Sequence, residues 1–304
     1  MSGTSLTIDL QTGLVVVQNI LFAIAAGALA CDMLARHTGT SALAMFKGWC
    51  FVCACMLVAC APLYLWLQAA VMSDVPLFEA FSQVLAVLTE SHYGMTWLVG
   101  LLGAVLAALA SRGGNLTGTV ITVAGLVIWA AGKAAASHAA DTGDATPREV
   151  VHILHLCATA LWAGSVIVTA ATQRGLIRRE TDPVAITRFL TGVSHLAAIS
   201  LVVVLLTGIA NVLWDTRGVH GQPMMLPWGQ ILSIKLVCVV LAILLGGWNR
   251  MVVLPDLHTQ SRMQGTTFDA ILSRFGRLLS VEAVVMLVIL TIAAILGHTS
   301  PSAS

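Results

Sequence analysis

The chain has 304 residues, of which 58% are hydrophobic and only 10% are charged. A soluble protein carries about 25% charged residues, so this sequence has too few to cover a water-facing surface. The composition excludes a nucleic-acid-binding protein, a soluble Rossmann-type enzyme and a disordered scaffold. The formal net charge of +1 says nothing about partners, because the distribution of charge matters and its sum does not.

Apolar runs recur along the whole length, each near the roughly 20 residues that a helix needs to cross a bilayer. We therefore predict an all-α fold: a polytopic membrane protein in which residues 1–304 form one bundle of eight transmembrane helices surrounded by lipid. The predicted spans are 14–36, 45–72, 93–111, 117–136, 148–172, 189–214, 228–248 and 278–297.

Basic residues in the short loops predict the orientation, because cytoplasmic loops are enriched in Lys and Arg. One set of loops holds Arg36, Lys47, Arg112, Arg174, Arg178, Arg179, Arg188, Arg250, Arg262, Arg274 and Arg277. The other set holds only Lys133, Arg148 and Arg217. The first set is predicted to be cytoplasmic, which places both termini in the periplasm.

Local signals predict where several helices begin. Thr146-Pro147-Arg148-Glu149 combines an N-cap residue, a proline at the first helical position and a glutamate at the third, so the fifth span should begin there. Asp182-Pro183 and Thr267-Phe268-Asp269 predict that the sixth and eighth helices begin in the cytoplasm. Apolar residues at helical spacing between Pro76 and Glu90 predict a short amphipathic helix, 76–90, on the outer membrane surface.

The histidines concentrate on the predicted outer side. Those that fall there are His92, His138, His152, His155, His220 and His298, out of nine in the chain. His152 and His155 share a helix face, about 8 and 12 Å along a helix that begins at Pro147. Imidazole is the commonest metal ligand, and its combination with thioethers in an oxidising compartment favours copper over zinc.

We therefore predict a metal site formed by outer-side residues. The candidate ligands are His92, His138, His152, His155, His298 and Met95. Each histidine taken alone is more often structural than a ligand, so the prediction depends on their shared location.

Ionisable side chains inside a membrane often mark a transport pathway. His195 and Glu282 lie at similar depth near the cytoplasmic side and could pair, whereas Lys235 lies nearer the outer histidines. A structural ion pair or snorkelling to an interface is the alternative. Cys50 and Cys53 share a helix face near the cytoplasmic end of the second span. Two thiolates there could release Cu⁺, and small apolar filling of the helix interface is the alternative.

These residues bring a known family into view. The stretches Ser137-His138-Ala139, His152-x-x-His155-Leu156 and Leu161-Trp162-Ala163-Gly164 resemble the central signature of the copper resistance protein D (CopD) family. Further similar stretches are Thr207-Gly208, Trp228-Gly229-Gln230-Ile231-Leu232-Ser233-Ile234-Lys235, Asn249-Arg250 and Ser280-Val281-Glu282. The resemblance implies an eight-helix protein of the bacterial inner membrane that moves copper from periplasm to cytoplasm, often beside a periplasmic copper-binding partner of the CopC type.

The sequence leaves three functions open. The first is a copper permease with no enzymatic activity, in which outer His and Met residues capture Cu⁺ or Cu²⁺ and Glu282, His195 and Lys235 lie on the path inward. The second is a b-type haem electron-transfer protein with paired histidines as axial ligands. The third is a copper-binding sensor or assembly factor without transport. No Gly-x-x-x-x-Gly-Lys-[Ser/Thr] motif for ATP is present.

Overall fold

The structure, a computed structural model, describes residues 2–39, 43–137, 146–180, 182–217, 225–263 and 267–299. Within these residues the chain forms helices and short connections, with no strand. Eight of the helical stretches are long and apolar enough to cross a membrane. The predicted fold class and number of spans are confirmed.

Within the part of the chain that the structure describes there are ten α-helices, and eight of them correspond to the predicted membrane spans. They are α1 (Ser2–Thr38), α2 (Leu43–Ser73), α3 (Val84–Glu90), α4 (His92–Ala110), α5 (Leu116–Ala135), α6 (Pro147–Arg179), α7 (Pro183–Asp215), α8 (Pro227–Trp248), α9 (Leu254–Met263) and α10 (Phe268–Leu296).

The helix starts follow the capping signals in the sequence. The Thr146 hydroxyl accepts a hydrogen bond from the Glu149 main-chain N–H at 3.3 Å, immediately before Pro147. Asp182 caps α7 in the same way through the main-chain N–H of Val184 at 2.9 Å. Both caps satisfy main-chain donors that a first helical turn leaves without partners, and they confirm the predicted starts.

The seventh span is longer than predicted. It continues beyond residue 248 through a π-helical turn, Asn249–Val253, into α9, so that one helical stretch runs from Pro227 to Met263. Pro255 is the second residue of α9. A proline within a helix removes a main-chain hydrogen bond and clashes with the preceding turn, and the wider π turn before it provides room for the ring.

The segment predicted as a surface amphipathic helix consists of a 3₁₀ turn, Glu79–Gln83, followed by α3. The Trp66 indole N–H donates to the Leu77 carbonyl oxygen at 2.8 Å and attaches the segment to α2. Phe78, Phe81 and Leu85 are all strongly exposed. This apolar surface is suited to contact with lipid, and location on the outer membrane surface stays a prediction.

Helix α1 lies at the centre and contacts α2, α6 and α10, whereas α7 and α8 are peripheral, with most of their surface exposed. The closest approach is between α1 and α6, where a Cβ atom at Gly164 would lie only 1.8 Å from the Ala23 carbonyl oxygen. We call the end of the bundle that holds His92, His152 and His298 the histidine end. The opposite end, which holds Arg36 and Arg112, is the arginine end.

Candidate metal site

Three polar pairs join α6 to α7 at the histidine end. They are Arg148 with Asp215, His152 with Asn211, and His155 with Thr207. Successive members are three or four residues apart on each helix, so they lie along one face of each. The pairs form a polar seam between two antiparallel helices, and both candidate imidazoles belong to it.

The deepest pair orients His155. Its Nδ1 lies 2.9 Å from the Thr207 hydroxyl oxygen, and that hydroxyl donates its own proton to the Val203 carbonyl at 2.6 Å. In that arrangement the hydroxyl's one proton is used, so the hydroxyl accepts from Nδ1–H and Nε2 is the nitrogen without a proton. The Val204 carbonyl also lies within hydrogen-bonding range of the ring. Gly208 gives the ring room, since a Cβ atom there would lie 3.3 Å from His155 Cε1. An imidazole fixed through one nitrogen presents the other to a metal.

The middle pair holds His152 less tightly. The Asn211 amide nitrogen lies 3.4 Å from His152 Nδ1, at the long end of the range for a hydrogen bond. In this orientation the amide N–H donates to Nδ1, and the ring proton lies on Nε2. A 180° rotation of the amide would let its oxygen accept from Nδ1–H and would leave Nε2 for a metal. His152 and His155 lie within electrostatic range of each other, three residues apart on one face of α6.

Several cations surround this region. Lys235 of α8 lies within electrostatic range of both imidazoles, and it makes no hydrogen bond or ion pair within the described residues. Arg148 pairs with Asp215 at 2.9 Å. The Lys133 ammonium donates to the Asn19 side-chain oxygen at 2.7 Å.

None of the other predicted histidine ligands that the structure describes joins this pair in a three-residue metal-binding group. His298 follows α10 and is exposed, and its Nδ1 donates to the Ala294 carbonyl at 2.9 Å, which also leaves Nε2 free. His92 and Met95 share an exposed face of α4, a helix that packs on α2, α3 and α5. His138 lies outside the described residues. Among the described residues, no three His, Cys, Asp or Glu side chains come close enough to hold a metal, so His152 and His155 form the core of the candidate site.

Two of the predicted pathway residues, Glu282 and His195, lie in different environments. Glu282 is 5% exposed and makes no hydrogen bond or ion pair among the residues that the structure describes. It faces α8 at Gly246, where a Cβ atom would lie 2.8 Å from the Glu282 Oε1 atom. His195 is exposed on the surface of α7, and no ion pair joins it to Glu282 in the described part of the chain. Their roles in transport stay predictions.

At the arginine end, Cys50 and Cys53 are both buried in α2. Cys50 lines a small cavity that also contains Asp32 of α1. Asp32 was not among the residues predicted from the sequence, although a carboxylate inside an apolar span is a signal that could have identified it. Gly246 was not predicted as the neighbour of Glu282, because no sequence signal relates these positions.

Two family models match successive parts of the chain. "Copper resistance protein D-like, N-terminal domain" matches residues 7–147 and "Copper resistance protein D" matches residues 183–296. Helix α6, with His152 and His155, lies between the two matched stretches. No curated protein and no solved structure matches the chain.

Proposed function

Because the chain belongs to the copper resistance protein D family, we propose that it moves copper ions across the bacterial inner membrane from the periplasm to the cytoplasm. The family match and the eight apolar helices support a multi-pass inner-membrane protein concerned with copper. The direction and the route are our proposal.

The observation that carries the proposal is the pair of imidazoles in the α6–α7 seam. Thr207 fixes His155 so that its Nε2 is free, and His152 lies one turn nearer the histidine end. Imidazole nitrogens suit copper, and a hydrogen bond at one ring nitrogen raises the basicity of the other. We propose that His152 and His155 capture copper. His138, His92, His298 and Met95 remain candidates for further ligands.

The charges around the pair suit transfer better than storage. Lys235 lies within electrostatic range of both imidazoles, and a nearby ammonium lowers the affinity of a site for a cation. A conduction pathway needs sites that bind strongly enough to load and weakly enough to release. We propose that Lys235 has this effect.

Inward from the capture site, the proposed path uses Glu282 and His195 and reaches the end of α2 that carries Cys50 and Cys53. Glu282 supports the proposal because an unpaired carboxyl buried in a membrane is costly and is a functional candidate by default. The membrane potential would drive an inward cation by about 2.3 kcal/mol per charge per 100 mV. We propose a periplasmic CopC-like protein as the copper donor.

Uptake into proteoliposomes tests the proposal. The protein is reconstituted, copper is added outside with a thiol chelator inside, and accumulated copper is measured with and without an inward potential. We expect His152→Ala combined with His155→Ala to lower the initial rate by about tenfold or more.

The matched control is His37→Ala, which removes an exposed histidine at the arginine end and should retain uptake. Equal uptake by the folded double variant and the unmodified protein would remove the pair from the mechanism. Copper binding without accumulation would favour a sensor or assembly factor, and a Soret band in the purified protein would favour the haem alternative.

A further inference from the structure

A small cavity lies at the arginine end, among α1, α2 and the start of α5. Asp32, Cys50, Ser111, Thr119 and Thr122 are among the residues that line it. Its space suits about one water-sized species. Neither the family descriptions nor the histidine site accounts for this cavity.

Asp32 is the unusual residue in the wall. Its side chain is only 2% exposed, yet one of its carboxylate oxygens, Oδ1, has no hydrogen-bond partner in the described residues. Arg36 uses the other oxygen, with Nε at 2.9 Å and Nη2 at 2.6 Å, and directs Nη1 to the Gly114 carbonyl at 2.8 Å. The guanidinium is therefore committed elsewhere. A buried carboxylate oxygen without a partner is costly, so it calls for a ligand.

The hydroxyl groups in the wall also offer lone pairs. Ser111, Thr119 and Thr122 donate their protons to main-chain carbonyls three or four residues earlier, at 2.9, 3.2 and 2.7 Å. A hydroxyl whose proton is used in this way can only accept or coordinate. Together with the Cys50 sulfur and Asp32 Oδ1, the wall presents oxygen and sulfur ligands, with Lys47 as the free cation among the residues that line it.

We propose that this cavity binds a single thiophilic monovalent cation, Cu⁺, through Cys50 Sγ and Asp32 Oδ1, and that it is the last protein site before copper leaves at the arginine end. The proposal rests on the transport function and assigns its release site. It pairs Cys50 with Asp32 rather than with Cys53, which does not line the cavity.

Charge balance is compatible with a transient site. The thiol of Cys50 gives up its proton to water as Cu⁺ binds, so one positive charge replaces another and the net charge of the cavity does not change. Soft thiolate ligands select Cu⁺, whereas Mg²⁺ and Ca²⁺ need six or more oxygen ligands. Arg36 and Lys47 stand beside the cavity, and their charge favours release of the cation.

Protection of cysteines from alkylation tests the site. Inside-out membrane vesicles that contain the full chain are treated with Ag⁺, a redox-inert thiophilic probe, and then with methyl methanethiosulfonate. Mass spectrometry gives the labelling rate of each cysteine. We expect Ag⁺ to slow labelling of Cys50 by about tenfold or more, and Asp32→Asn to raise the Ag⁺ concentration that half-protects Cys50 by about tenfold.

Cys31 is the internal control. It precedes Asp32 in sequence and is fully buried, but its sulfur lies 3.6 Å from the Thr169 hydroxyl of α6, so it faces a different helix. Its labelling should not respond to Ag⁺. Equal protection of Cys50 in the Asp32→Asn protein, or no protection in the unmodified chain, would overturn the proposal.

Two further measurements keep the test decisive. If Asp32→Asn does not fold, Cys50→Ser should lower the Ag⁺ bound in equilibrium dialysis by about one ion per chain, whereas Cys53→Ser should not. An equal loss in both variants would favour a two-thiolate site and overturn ours.

The variant His152→Ala with His155→Ala should leave protection of Cys50 unchanged. If Cys50 shows Asp32-dependent protection in a protein that transports no copper, the proposed transport function is wrong and the proposed cation site stands.

Discussion

The orientation of His155 depends on a single hydroxyl group. Thr207 accepts from the ring at 2.9 Å because its own proton is used by Val203, and this fixes which imidazole nitrogen is free. His152 has only the longer contact from Asn211 at 3.4 Å. The two histidines therefore differ in how well they are prepared to bind a metal, although they are the same residue type on the same helix face.

Thr207→Val tests this difference. Valine keeps the shape of the side chain but removes the acceptor, so His155 loses the group that fixes its tautomer and ring orientation. We expect the affinity for Cu⁺ to fall by about ten- to hundredfold, measured by competition with a chromogenic Cu⁺ chelator. Thr216→Val is the matched control, because among the described residues the Thr216 hydroxyl bonds only to the Val212 carbonyl of α7. A loss of affinity that is equal in both variants would count against the orienting role.

Residue types were predictable from the sequence, but their contacts were not. His152 and His155 followed from spacing on one helix and from the side of the membrane. The pairing of each with Thr207 and Asn211 depends on how α6 and α7 rotate about their axes, which is set by packing across the whole interface. For the same reason, the sequence did not predict that Arg148 pairs with Asp215.

Between α8 and α10, a glycine makes room for a buried acid. A Cβ atom at position 246 would lie 2.8 Å from Glu282 Oε1, whereas one at position 247 would meet nothing within 4 Å. Adjacent glycines in one helix thus differ completely in their surroundings. This contrast gives a way to disturb Glu282 without changing its charge.

We expect Gly246→Ala to displace the Glu282 carboxylate and to slow copper uptake severalfold, whereas Gly247→Ala should have little effect on uptake. Glu282→Gln should slow uptake in the same way. In all three variants copper binding at the histidine end should remain. Uptake rates in proteoliposomes and equilibrium binding, measured together, check these expectations, and a parallel loss of binding and uptake would indicate a folding role for Glu282 instead.

Helix starts were predictable because they depend on short-range chemistry. Thr146-Pro147 and Asp182-Pro183 carry their caps within three residues. The π turn at Asn249–Val253 was not predictable, because Asn249 and Arg250 interrupt the apolar run after Trp248 while the helix continues to Met263. Hydropathy reports where a chain is apolar, and it does not report where a helix ends.

At the scale of the whole molecule, the two proposed sites lie at opposite ends of the bundle. The imidazoles lie in the α6–α7 seam, and the Asp32–Cys50 cavity lies among α1, α2 and α5. The order and number of spans followed from hydropathy. Which helices pack together did not, because apolar helices in lipid select partners by close packing of small residues such as Gly27 and Gly164.

The orientation of this bundle decides whether the proposed direction of transport is possible. The excess of Lys and Arg in one set of loops predicts that the arginine end is cytoplasmic and that both termini are periplasmic. Alkaline phosphatase, which is active only in the periplasm, is fused after Ser304, and green fluorescent protein, which matures in the cytoplasm, is fused there in a second strain. We expect an active phosphatase and no fluorescence. The same reporters inserted after Glu180, between α6 and α7, should give the opposite result. A fluorescent C-terminal fusion would place His152 and His155 in the cytoplasm, where they could not capture periplasmic copper, and inward transport from this site would have to be abandoned.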